Sequence, residues 1–168
     1  MNYIKEAYKQ ACIAYNKDEV PVGAVIVKDG KILARAHNNK ENSNDPTAHA
    51  EIVCIRKACK KLNNWYLKDC EMYVTLEPCS MCVGAIIQAR IKKVYYGVKD
   101  FRAGAIGGLY NLMEQKGFNH YFEYEYLEDD KCGKVLNKKS AHICRQSYPQ
   151  QNTFQKGVMH DFLWKTIK

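Results

Sequence analysis

Two short motifs constrain this chain more than anything else in it: His49-Ala50-Glu51 and Pro78-Cys79-Ser80-Met81-Cys82. Imidazole and thiolate are metal ligands, and one site that uses all three must draw two distant stretches of chain to a single point. His49, Cys79 and Cys82 make a three-ligand set. Three protein ligands with a fourth position left for water describe a catalytic zinc, one per chain, rather than a structural one. Glu51 is then a carboxylate spared from ligation and free to move protons.

Each piece alone has a plainer reading. Cys-x-x-Cys after a strand also suits a redox pair of the thioredoxin kind. A single His is more often a core residue with satisfied hydrogen bonds, and an acid at a helix start is favoured by the helix dipole. It is the conjunction, with Pro46 and Pro78 both placed just ahead of the ligands, that selects the metal reading.

The rest of the chain offers a frame for such a site. Ile4, Ala7, Tyr8, Ala11, Cys12 and Tyr15 recur at helical spacing. Val22–Val27 reads as an apolar strand, Asp29-Gly30 as a hairpin turn, and Lys31–Ala36 as its partner strand. Asn38–Asp45 reads as a loop, and Asp45-Pro46-Thr47 as the cap and first turn of a helix reaching Leu62. A strand over Met72–Leu76 leads into a helix from Glu77-Pro78 to about Arg90. Strands over Lys93–Gly97 and Tyr121–Tyr126, a short helix over Tyr110–Lys116 and a helix from Glu128 to Asn137 complete the pattern. Helix, hairpin, then alternating strands and helices predict an α/β sandwich on a mixed sheet whose first pair is antiparallel. His49 and Glu51 then fall in the first turn of one helix, Cys79 and Cys82 in the first turn of another. Cysteines at i and i+3 share a helix face, so both sulfurs can reach one metal. Free N–H groups at a helix start also favour thiolate.

At 168 residues the chain has the length of one domain. Met1–Glu6 carries no apolar leader and no later run has membrane-spanning length, so a soluble cytoplasmic protein is expected. Of eight cysteines, only Cys79 and Cys82 have a metal spacing; the scattered remainder read as free thiols of a reducing compartment. The net charge of +8 is concentrated at the C-terminal end, where Lys131 to Lys168 holds eight Lys and Arg against Asp161 alone. A basic end on a nearly neutral body suits a polyanion such as RNA, and equally a solvated tail.

The pattern H-x-E followed by P-C-x-x-C is that of the zinc nucleobase deaminases. Beyond it, the chain resembles the bacterial tRNA-specific adenosine deaminases of the cytidine deaminase-like superfamily. The resemblance runs through Glu19–Val25, Asp45–Glu51, Val74–Ala85, Arg90-Ile91, Gly97, Asp100, Gly104–Gly108 and Asn119-His120. It covers about residues 1–137. The zinc motifs are superfamily-wide, whereas Leu76-Glu77 and the glycine segment are more similar to the tRNA branch.

The resemblance implies a three-layer α/β/α fold, a five-stranded mixed sheet with helices on both faces. It implies a homodimer that hydrolyses the wobble adenosine of a tRNA anticodon stem-loop to inosine. His49, Cys79 and Cys82 would bind Zn2+ and Glu51 would shuttle protons from water to the ring and to the departing amine. Asn38, Ala50, Asn119 and His120 would contact substrate, with Asp100, Phe101 and Arg102 along an RNA groove. Without the resemblance, Asn38 is an ordinary loop residue, and Asn119 and His120 read equally as surface turn residues. The glycines at 104, 107 and 108 lack the strand–loop–helix setting and lysine of a phosphate loop.

Residues 138–168 depart from the family, which usually ends in one basic amphipathic helix. Here Gln146–Gln155 intervenes, and a last helix is expected around Phe154, Val158 and Phe162. The expected division is thus a deaminase domain over 1–137 and a basic tail over 138–168. Competing readings are a deaminase of free guanine, cytosine or a nucleotide, which shares both motifs, and a non-catalytic zinc or RNA-binding module. The unliganded Glu51 speaks against the last.

Overall fold

The computed structural model describes residues 2–137. The expected tail helix and the C-terminal basic cluster beyond that point lie outside the described residues. Helix α1 (Tyr3–Asn16) is capped by Asn2, whose side chain accepts the Lys5 N–H at 3.2 Å. It buries Ile4, Ala7, Ala11 and Ala14, the face its spacing foretold. β1 (Gly23–Lys28) and β2 (Lys31–His37) form the expected hairpin. Asp29 and Gly30 both adopt positive φ, as the tight turn between the strands requires.

α2 (Lys40–Ser43) and α3 (Ala50–Leu62) follow, then β3 (Cys70–Leu76), α4 (Ser80–Ala89), β4 (Lys93–Val98) and β5 (Glu123–Tyr126). Residues 130–137 are again helical. The sheet order is β2-β1-β3-β4-β5. β1 is antiparallel to both neighbours, while β3, β4 and β5 run parallel. This is the mixed five-stranded sheet expected, with helices on both faces.

Alternation along β1 separates the two faces. Ala24 and Ile26 join Ala50, Cys54 and Ala58 of α3, Met72 and Val74 of β3, and Val83, Ile86 and Ile87 of α4 in the larger core. Val25 and Val27 face the other way, onto Ile4 and Ala7 of α1 and Cys132. Gly23 sets how closely α1 approaches, because a Cβ there would collide with the backbone of Ala7 and Ala11.

Several boundaries differ from the sequence reading, each for a local reason. Asp45 does not cap α3; its carboxylate takes the Thr47 N–H at 2.8 Å and the Thr47 hydroxyl at 2.6 Å, closing a turn instead. α3 therefore begins at Ala50, with His49 in the cap position. The loop after β2 contains the one-turn α2, which Asn44 ends in the left-handed region. The expected helix over 110–116 shrinks to a 3-10 turn at Leu112–Glu114. Glu128 has φ 52, so the last helix starts after it, with Asp129 accepting the Cys132 N–H at 3.0 Å.

The first pairing of the hairpin, Gly23 with His37, sits at the sheet end where β3 finishes, since Ala24 lies opposite Val74. The carboxyl ends of β2 and β3 thus share one edge with the N-termini of α3 and α4. Chemistry in open α/β sheets is placed at such edges.

Candidate active site

At that edge the two motifs meet. His49 is the cap residue of α3 and Cys79 that of α4, with Cys82 one turn further on. Neither cap residue bonds its own helix through its side chain, so both side chains are free to face each other. Cys79 Sγ lies 3.7 Å and Cys82 Sγ 3.6 Å from His49 Nδ1. All three ligand atoms fall within 4.8 Å of one another, a group able to hold a metal ion.

The electrostatics fit that use. The Cys82 thiol donates to Cys79, and with the His49 contact this outweighs burial and pulls Cys79 down to about 4. Cys82 is pushed up by the same bond and by its burial, while the Cys79 contact raises His49. Cys54, buried one helical turn beyond Glu51, goes the opposite way to about 12. Thiolate character is therefore concentrated at Cys79.

Glu51 is only 3 % exposed, and burial raises its carboxyl from 4.5 to about 7. Its Oε2 is buried without a hydrogen-bond partner among the described residues. A carboxylate in that setting can take up or release a proton near neutrality at small cost, which is what a general acid–base requires. Ala50 is fully buried at the first position of α3, between His49 and Glu51 in the chain.

Asn38 follows β2 at the same edge and is buried. The Asn39 N–H bonds the Ala48 carbonyl at 3.0 Å, which sets this segment beside the residue preceding His49. The Asn38 amide donates to Glu19 Oε2 at 3.2 Å. Asn119 and His120 sit elsewhere, against the far end of α4. Arg90, which ends that helix in the left-handed region, donates to the Asn119 backbone and side-chain oxygens at 2.5 and 2.9 Å. His120 Nε2 bonds the Ile91 carbonyl at 2.8 Å. Ten residues of helix, about 15 Å, separate that end from Cys79.

Two buried acids that sequence reasoning gave no role hold the site's walls. Glu19 is fully buried; its Oε1 takes both the backbone N–H and the amide of Asn42 at 2.8 Å, which pins α2 and the segment after β2. Glu77, 3 % exposed, stands two residues before Cys79. Its Oε1 accepts the N–H groups of Ile106 at 3.0 Å and Gly108 at 2.8 Å, and its Oε2 that of Asp100 at 3.0 Å. The glycine segment is therefore an anion cradle after all, but for the chain's own carboxylate. It folds residues 100–108 against the Cys79 loop and leaves Phe101, 55 % exposed, on the surface beside Arg102. The available signal was an acid within two residues ahead of a proline, at Glu19-Val20-Pro21 and Glu77-Pro78.

Among the described residues no helix is long and apolar enough to cross a membrane. The cysteines there are all free.

Comparison with known proteins gives the same picture. The MafB19-like deaminase family matches residues 1–143. The tRNA-specific adenosine deaminase of Aquifex aeolicus is 43 % identical over 136 residues, 81 % of this chain and 90 % of that protein. Its namesake from Bacillus subtilis is 46 % identical over 136 residues, 80 % of this chain and 84 % of the other. Among solved structures, one from a study of A-to-I editing by tRNA:A34 deaminases superposes with a TM-score of 0.76 at 39 % identity. It covers 80 % of this chain and 98 % of that one. Bacillus subtilis guanine deaminase superposes at 0.59 with 35 % identity, over 92 % of this chain and 100 % of the other. Identity of this extent, over most of the length of the relatives and with a matching fold, means that this chain belongs to the tRNA-specific adenosine deaminases.

Proposed function

We propose that this protein is a zinc-dependent hydrolase that converts the wobble adenosine of a tRNA anticodon stem-loop to inosine and releases ammonia. The observation that carries the chemistry is Glu51, a buried carboxylate with one unpaired oxygen beside a His-Cys-Cys cluster. The relatives' names and the wobble-editing structure supply the substrate class.

His49 Nδ1, Cys79 Sγ and Cys82 Sγ would hold the metal. Bonds of about 2.3 Å to sulfur and about 2.0 Å to nitrogen at a tetrahedral angle put those atoms about 3.5 Å apart. The spans of 3.6 and 3.7 Å fit that geometry. When bound, zinc supplies the Lewis acidity that makes water a nucleophile near neutral pH. Glu51 moves the protons: from water, to the ring nitrogen beside the attacked carbon, and to the amine as it leaves. Water adds to C6, the C6–N bond breaks, and ammonia departs as the carbonyl of inosine forms. Asn38 and Ala50 contact the base. An anticodon loop already presents unstacked bases, so drawing one into the pocket costs little.

Residues 1–137 form the catalytic domain and 138–168 a basic tail that contacts the polyanion. Phe101 or Arg102, on the surface beside the Glu77 cradle, would stack on a flanking base. The protein acts as a homodimer, to which large exposed apolar side chains such as Leu109, Tyr110, Phe118 and Tyr121 are suited. Asn119 and His120 are also assigned to substrate. A cytoplasmic location agrees with the free thiols.

The likeness to guanine deaminase supports a second reading, a free-base enzyme. A substrate panel separates the two. Turnover of a wobble-adenosine stem-loop that falls steeply with added salt, with free guanine and cytosine untouched, supports the RNA enzyme. Salt-insensitive turnover of free guanine would replace it.

A further inference from the structure

The bonds to Glu19 are divided between its two oxygens in a way that bears on base choice. Both Asn42 donors go to Oε1, and the Asn38 amide alone goes to Oε2. These bonds together hold the Glu19 carboxyl below its ordinary value despite complete burial, so it is ionised and can only accept. Asn38 must therefore present Nδ2 to it; the opposite amide orientation would set Oδ1 against a carboxylate oxygen. The orientation is thus fixed by charge.

Asn38 Oδ1 takes no hydrogen bond among the described residues. The buried polar side-chain atoms left unpaired there are His37 Nδ1 and Glu51 Oε2, so the described residues do not seal in Asn38 Oδ1. The Asn39–Ala48 bond holds this segment beside the residue preceding His49.

We propose that Glu19 is a positioning residue that fixes base specificity: by fastening Asn38 Nδ2 it turns Asn38 Oδ1 toward the base as a hydrogen-bond acceptor. This rests on Asn38 being a base contact, as assigned above. An acceptor suits the exocyclic N6 amine of adenosine, a donor. The second N–H of Nδ2 lies alongside to reach N7, the two-point pairing by which asparagine reads adenine. After deamination the same position carries O6, an acceptor facing an acceptor. The pocket that grips the substrate then repels the product.

Glu19→Gln tests this without dismantling the wall. The introduced amide can keep its oxygen on both Asn42 donors and put an NH2 where Oε2 was. Asn38 must then flip, giving Oδ1 to that NH2 and Nδ2 to the base. The readout is the dissociation constant for stem-loops carrying adenosine or inosine at the wobble position, measured on a Glu51→Ala background so that nothing turns over. The parent is expected to favour adenosine. Adding Glu19→Gln should move the adenosine-to-inosine affinity ratio about tenfold or more toward inosine, the scale of one hydrogen bond reversed from matched to opposed. Metal content should stay at the parental value, and the protein should remain folded, with its melting temperature lowered only by the charge lost from these bonds. Adding Asn38→Asp to Glu19→Gln returns an acceptor to the pocket with the charge moved across the pair, and should swing the ratio back toward adenosine.

A ratio within about twofold of the parent after Glu19→Gln overturns the proposal, because a merely structural Glu19 would alter both affinities alike. Failure of Asn38→Asp to reverse the shift also overturns it. Turnover by the wild type is read separately. A wild type that makes no inosine while the ratio still inverts defeats the proposed reaction and leaves this inference standing. An active wild type with an unmoved ratio does the opposite, and a parent that binds neither stem-loop defeats both.

Discussion

The Glu77 carboxylate accepts the Gly108 N–H at 2.8 Å in a space where a Cβ on Gly108 would strike Glu77 Oε2 itself. Bond and glycine are thus one requirement: at position 108 the backbone can come this close to the carboxylate only without a side chain. Gly104 obeys the same rule, with its Cβ position 2.5 Å from Glu77 Cδ. Gly108→Ala should therefore destabilise the protein by about 1–3 kcal/mol, the usual cost of overpacking. Chemical denaturation checks this, with a lowered midpoint and an unchanged slope expected.

Gly23→Ala should be at least as damaging. Its Cβ would meet the backbone of α1 at Ala7 and Ala11, and backbone cannot swing aside as a side chain can. A loss of about 2 kcal/mol or more is expected, read from the urea midpoint.

These two glycines show what the sequence could and could not reveal. The element order, the hairpin turn and both ligand motifs were legible because each rests on local rules: helical spacing, turn chemistry and ligand spacing. The start of α3 was misread because Asp45 had two uses for its carboxylate, a cap or a turn with Thr47, and only packing decided between them. Glu19 and Glu77 carried no spacing signal at all. Their partners lie 19 to 31 residues away, so their roles exist only once the chain is folded.

Loss of a ligand should abolish metal binding. Two remaining groups cannot hold zinc as three do, so His49→Ala or Cys82→Ser should reduce zinc content at least about tenfold by elemental analysis. Because metal binding couples to folding, melting temperature should also fall.

After chelation the cluster's electrostatics become visible as thiol reactivity. Cys79, drawn down to about 4 chiefly by the Cys82 bond, should be alkylated fastest, at a rate that is nearly flat above about pH 6. Cys54, raised to about 12 by burial, should resist throughout. Peptide mapping after brief iodoacetamide treatment checks the order.

Glu19 should make folding pH-dependent. Its folded-state value is depressed below the ordinary 4.5, so its contribution to stability is complete above that value and is lost as pH falls through the depressed one. The gap in unfolding free energy between wild type and Glu19→Gln should therefore be constant near neutrality and close below about pH 4.5. A gap that widened in acid would contradict the assignment.

Inosine formation in a synthetic anticodon stem-loop with a wobble adenosine, run beside Glu51→Ala with zinc measured in both, decides whether this site performs the proposed reaction. The wild type should produce inosine and ammonia. The variant should carry the same zinc, since Glu51 is not a ligand, and should lose at least about a hundredfold in rate, the contribution of one general acid–base. Equal zinc and equal rates, or no inosine from either protein, would contradict the assignment of Glu51 and of the substrate.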